Sequence, residues 1–313
     1  MSRGPREGDQ GDGSLGFQKC QGYGRLCIGV AYILIKVAAN GPMDLFAYNN
    51  LSEELSNNQL FNSAANMLQN VIIILSVVLF WKVFDKKPLR DMGITPVKEG
   101  YRDFLKGLAF GIIAISTVFI ILLVTGNVSV AKGLAHPEFT FDMLTGLLMF
   151  ILVGFGEEIF SRGYCMTVLN QTGNRWVVVL VSSMIFSILH AVNPNVSALG
   201  LINIFLVGVL FAYMVLKTGS IWMPIGFHIT WNYLQGNIFG FEVSGQEIQG
   251  GLYSTRYITE NIVNGGKFGP EGGIATTIIL LIFFVIIWKL IKTKSNYMLS
   301  DKKETEELEA AAQ

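Results

Sequence analysis

The sequence predicts an all-α fold: a polytopic membrane helical bundle of about eight transmembrane helices, with N- and C-termini on the cytoplasmic side. Two observations carry that expectation. The first is composition, since 51% of the 313 residues are hydrophobic and only 15% are charged, with a mean hydropathy of +0.47. A water-soluble domain keeps far more charge than this. The second is the length of the apolar runs. A helix needs about 20 apolar residues to cross the hydrocarbon core, and that ruler picks out 24–40, 64–84, 104–125, 142–162, 175–192, 197–216, 221–239 and 273–292.

Residues 1–23 form a polar, Gly-rich tail, and the apolar stretch behind it lacks a small-residue cleavage site, so no cleaved signal peptide is expected. Two accessory helices follow within 24–84, the first diluted by Lys36 and Asn40. The stretches 71–80, 112–124 and 278–287 are nearly continuous Ile, Leu, Val and Phe, which makes the second, third and eighth spans plain. The fourth to seventh spans are different. They are broken by Glu157, Glu158, Arg162, His190, Asn203, His228 and Asn232. Residues 241–272 are rich in Gly, Asn and Thr without periodicity and read as an external loop that caps the helices. The last helix and a charged tail fill 273–313.

Cytoplasmic flanks carry the excess of Lys and Arg. With eight spans and an interior N-terminus, 19 of the 23 basic residues fall inside, and only Lys132, Arg256 and Lys267 fall outside. Both termini are therefore expected in the cytoplasm. Formal net charge is zero, so nothing global points to nucleic acid as a partner. Cys20, Cys27 and Cys165 form no C-x-x-C pair and suggest no disulfide framework.

An ionised side chain deep in a bilayer costs several kcal/mol unless it finds a partner or a watery cavity. Glu157, Glu158 and Arg162 concentrate three such groups in one apolar span. Glu158 and Arg162 stand four apart, a natural ion-pair spacing. Adjacent helical residues diverge by about 100°, so Glu157 is left to face an internal cavity. Phe186 and His190 share a face of the fifth span, and His228 and Asn232 share one of the seventh. His136, beside Pro137 in an external loop, is expected to be exposed and inert. Trp222 and Trp231 read as interfacial or core aromatics, Asn203 as a helix-bridging or cavity residue, and Pro224 as part of a helix's first turns.

A carboxylate, two imidazoles and a carboxamide on three helices could make a hydrolytic site. Glu157 would take a proton from water that His190 orients, while His228 and Asn232 would hydrogen-bond the oxyanion formed when an amide is attacked. Glu157, His190 and His228 could instead ligate a divalent metal such as zinc. The H-E-x-x-H element that puts two ligands and a base on one helix is lacking, so the preferred reading needs no cofactor. Buried Glu and His also serve proton-coupled transporters, whose paired broken helices are not seen in this sequence. A non-catalytic membrane scaffold is a further alternative.

The order E-E-x-x-x-R, F-x-x-x-H and H-x-x-x-N resembles the CPBP family of intramembrane proteases, which includes CAAX prenyl endopeptidases of Ras-converting type and bacterial Abi proteins. The motifs stand as Glu157-Glu158…Arg162, Phe186…His190 and His228…Asn232. The stretch 89–95 (LRDMGIT) is similar to that family's lead-in, with Met92 where Leu is usual. The resemblance spans roughly 85–240, a catalytic core by this reading. It implies that Glu157 and His190 activate water and that His228 and Asn232 bind the oxyanion, with Glu158, Arg162 and Phe186 in support. It further implies an intramembrane endopeptidase acting on a peptide or protein, lipidated in eukaryotic relatives, among membrane lipids and not on nucleic acid. The lack of an obvious organelle-retention tail leads us to expect a bacterial plasma membrane.

That site sets a geometric condition. With span ends at face value, Glu157 lies near one end of its helix and His190 near the opposite membrane face. For the two to share a water, the fourth helix must run past Arg162 towards Asn170, and the fifth must tilt or sit low.

Overall fold

The computed structural model describes residues 59–294; the expected first span at 24–40, both terminal tails, Cys20 and Cys27 lie outside the described residues. Each of the other seven candidate spans is a helix. We label them α1 (Gln59–Phe80), α2 (Val97–Val124), α3 (Asp142–Glu158), α4 (Arg175–Leu189), α5 (Ala198–Thr218), α6 (Trp222–Tyr233) and α7 (Ile274–Leu290). Among the described residues, four helical stretches are long and apolar enough to cross a membrane, namely Ser63–Asp85, Leu89–Val124, Asp142–Thr172 and Ala198–Thr218. α4 and α7 are shorter apolar helices.

The fold is not purely helical. Strands β1 (Val128–Val130) and β2 (Thr255–Tyr257) form a two-stranded antiparallel sheet, pairing Val128 with Tyr257 and Val130 with Thr255. β2 belongs to the expected loop 241–272, which also holds 3₁₀ turns at Gly266–Phe268 and Pro270–Gly272. That segment is thus an ordered cap. Glycine made it illegible to periodicity, because several of its turns rest on left-handed backbone at Gly240, Gly250 and Gly265.

Local sequence sets the helix ends. Asn174 caps α4 by accepting from the N–H groups of Trp176 and Val177, and Ser197 caps α5 by accepting from Gly200. α5 stops at Gly219, whose φ of 72° a side chain would strain.

α6 lies at the centre of the bundle, with every residue from Met223 to Asn232 buried. Lipid offers no hydrophobic drive for helices to associate, so close packing and hydrogen bonds must hold them. Gly107 and Gly111 of α2 provide the approach: a Cβ on Gly107 would lie 2.0 Å from Met223 O, and one on Gly111 would lie 2.2 Å from Thr230 Oγ1. The hydroxyl of Thr230 donates across the same seam to Leu108 O at 3.0 Å. This contact fixes the rotation of α6 and turns His228 and Asn232 away from α2. At the other end, Lys294 reaches the buried carboxylate of Asp103 at 2.7 and 2.8 Å, tying the chain beyond α7 to α2. Leu75, Leu79, Ile113, Ile120 and Leu281 are exposed on the bundle surface, where lipid would cover them.

Candidate active site

Glu157 stands midway along the helical stretch Asp142–Thr172, which runs past Arg162 as the site required. α3 passes at Ile159 into a π-helical segment, Ile159–Cys165, and resumes at Met166–Leu169. Wide turns of this kind cluster at functional sites because they re-aim side chains. The lead-in segment buttresses it: Met92, fully buried, sits against Gly163, and Thr95 O accepts from the indole of Trp222.

α4 is short for a span. Fifteen residues rise about 22 Å, less than the roughly 30 Å of hydrocarbon. His190 caps its C-terminal end. Its Nδ1 lies 2.8 Å from Phe186 O and must donate to that carbonyl. Nε2 is left with its lone pair directed to the site, 3.7 Å from Glu157 Oε2.

The other carboxylate serves a different purpose. Glu158, fully buried, accepts from Arg162 at 3.1 Å and lies 2.9 Å from His228 Nδ1, both through Oε1. The sequence suggested the first contact; the second links α3 to α6 and joins two motifs 70 residues apart. Arg162 is held between aromatic faces, with its guanidinium carbon 4.1 Å from the Phe186 ring centre and 5.1 Å from that of Phe211. The Phe186 ring also touches both imidazoles, at 4.8 Å from His190 and 6.2 Å from His228. Phe186 is therefore a spacer that keeps the histidines apart.

Glu157, Phe186, His190, His228 and Asn232 all line one cavity of about 660 Å3. His190, His228 and Asn232 are each buried. Among the described residues, no group of three His, Cys, Asp or Glu side chains is placed to hold a metal ion. Cys165 is a buried free thiol, and His136 is exposed. Asn203 lines the cavity and bridges helices, donating to the carbonyls of Glu271 and Gly273 and accepting from Thr277.

Sequence reasoning missed Glu271. It follows Pro270 just before α7 and lines the same cavity. Its carboxylate accepts from Trp231 Nε1 at 3.2 Å and from the N–H and O–H of Ser244, each at 2.7 Å. Burial pushes this carboxyl above the usual carboxylate range, against the pull of those donors and of nearby His228. A lone acid in a Gly-rich loop gave no periodic signal. The polar face of α1, where Asn66, Gln69 and Asn70 line the cavity, was also passed over as part of an accessory span.

A bundle of apolar helices thus gathers carboxylates, imidazoles and carboxamides around one cavity, the kind of polar cluster that marks a candidate functional site in a membrane protein. Residues 139–234 match the family model described as Type II CAAX prenyl endopeptidase Rce1-like, so this segment of the chain is similar to the CAAX proteases. The matched segment runs from just before α3 to the end of α6 and includes all the candidate residues from Glu157 to Asn232. α1, α2, the 241–272 cap and α7 lie outside it. No curated protein matches the chain.

Proposed function

We propose that the protein is an intramembrane endopeptidase that hydrolyses a peptide bond through water activated by Glu157 and His190, with the oxyanion held by His228 and Asn232. The observation that carries this reading is the 3.7 Å gap between Glu157 Oε2 and His190 Nε2. A water hydrogen-bonded to both would have its two acceptors in place. Glu157 takes one proton as the water oxygen bonds to the scissile carbonyl carbon. The carbonyl oxygen becomes an oxyanion, which accepts from Asn232 Nδ2–H and His228 Nε2–H. When the tetrahedral intermediate collapses, the C–N bond breaks and Glu157 returns its proton to the departing amine.

Glu158 explains how His228 can donate. Its carboxylate accepts from Nδ1, so the ring is held by one nitrogen and offers the other to the substrate. Arg162 pairs with the same carboxylate at 3.1 Å and holds it in place.

Glu157, His190 and His228 carry donor types that zinc accepts; the metal-free route is placed ahead of it because the sequence lacks an H-E-x-x-H element. The substrate is a peptide or protein that reaches the site from within or beside the membrane, and lipidated peptides are the first to assay. Both chain termini face the cytoplasm in this reading.

The test uses detergent-solubilised protein and an internally quenched lipidated peptide. Cleavage should be abolished in Glu157→Gln and should survive a strong chelator. Loss on chelation, restored by zinc, would replace the mechanism with a metal-dependent one. A proton-coupled carrier or a scaffold would show no cleavage in either form.

A further inference from the structure

α1 lies outside the matched family segment, yet Ser63, Asn66, Gln69, Asn70 and Ile73 all line the cavity that holds Glu157 and His190. Their spacing of three and four residues puts them on one helical face. Leu68, Leu75 and Leu79 occupy the opposite side and are exposed. The polar residues share the face that lines the open cavity, where Asn66 is exposed and Ser63, Gln69 and Asn70 are half-buried. Carboxamides are unfavourable in a membrane span, so three of them in the first turns of the Ser63–Asp85 stretch call for a polar partner inside the bundle.

Their depth matches the candidate chemistry. Asn70 Oδ1 lies 3.4 Å from where a Cβ on Gly156 would stand, next in sequence to Glu157. Asn70 Nδ2 donates back to Asn66 O at 2.9 Å, which fixes its carboxamide. Asn66 sits one helical turn, about 5.4 Å, nearer the helix start.

We propose that this face of α1 binds the main chain of an extended substrate segment and lays it alongside Glu157, an inference that rests on the peptidase reading. A carboxamide offers both a donor and an acceptor, the complement of a peptide group. Peptide groups on one side of an extended chain recur about every 6.6 Å, close to the rise of one helical turn. The face carries no charge. It therefore selects for an extended, accessible backbone and not for a charged side chain.

The experiment uses the full chain in detergent with the double variant Asn66→Leu/Gln69→Met. Neither side chain is buried, and leucine and methionine are good helix formers, so thermal stability should not fall. KM for the quenched peptide should rise about tenfold, the scale of one or two lost hydrogen bonds, with kcat within about twofold. In a Glu157→Gln background, fluorescence anisotropy of the labelled peptide should show Kd raised by a similar factor. N-methylation of peptide amides near the scissile bond should weaken binding to the parent more than to the double variant. Unchanged Kd and KM, or a fall confined to kcat, would overturn the proposal, as would no binding of the peptide to the parent. Binding without cleavage would instead defeat the peptidase reading and leave the Kd comparison to decide this one.

Discussion

Glu158 meets two partners through a single carboxylate oxygen, Arg162 from its own helix and His228 from α6. Removing the charge while keeping the shape, as in Glu158→Gln, leaves a guanidinium that is 1% exposed without its closest counter-charge. Breaking a buried pair from one side costs about 3–5 kcal/mol, so the variant should show a lower Tm in detergent and little or no cleavage. An unchanged Tm would mean that Arg162 is neutralised by other groups. Glu271 supports a prediction of opposite sense. Its folded-state pKa is raised by burial, so the folded chain holds a proton at pH values where the unfolded chain has released it. Stability should therefore fall as pH rises from the ordinary carboxylate range through the raised one. Thermal unfolding across mildly acidic to neutral pH should show that slope in the parent and a flatter one in Glu271→Gln.

Among the elements, the α2–α6 seam decides whether His228 and Asn232 reach the cavity. A side chain at position 111 would meet Phe227 O at 2.4 Å and Thr230 Oγ1 at 2.2 Å, atoms of a helix buried on all sides. Gly111→Leu should therefore force α2 and α6 apart, costing about 1–3 kcal/mol or more and lowering kcat as α6 rotates. Tm and kinetics on one preparation check both effects, and full activity would show that α6 is held by other contacts. The existence of these helices was plain from hydropathy. Their internal breaks were not, because the π turn at Ile159–Cys165 holds no proline to mark it. The length of the fourth span past Arg162 was inferred only because the chemistry demanded it. Of the candidate site, the motif residues were visible as polar interruptions in apolar runs; Glu271 and the carboxamides of α1 were not, since a loop acid and a few amides near a span end are common.

At the scale of the whole molecule, charge asymmetry argues for orientation. Lys132 and Lys86 lie on opposite sides of the membrane in the proposed topology. Cysteines placed at these positions, with native thiols removed, should react with an impermeant maleimide from opposite faces of sealed cells or inverted vesicles. Labelling of both from one face would reject that topology. The ordered cap over residues 241–272 bears on the site as well. Ser244 bonds Glu271 and accepts from Asn193, so the segment's two ends are joined to each other and to the turn after His190.

The sequence by itself determined that this is a helical membrane protein and which polar residues interrupt its spans, because both follow from the local cost of placing each side chain in lipid. Only the tertiary structure decided which carboxylate faces His190 and which grips His228, and that α1 lines the cavity with its amides. Such pairings join residues far apart in the chain, and they are set by helix rotation and depth, which depend on close packing between helices that no single span encodes.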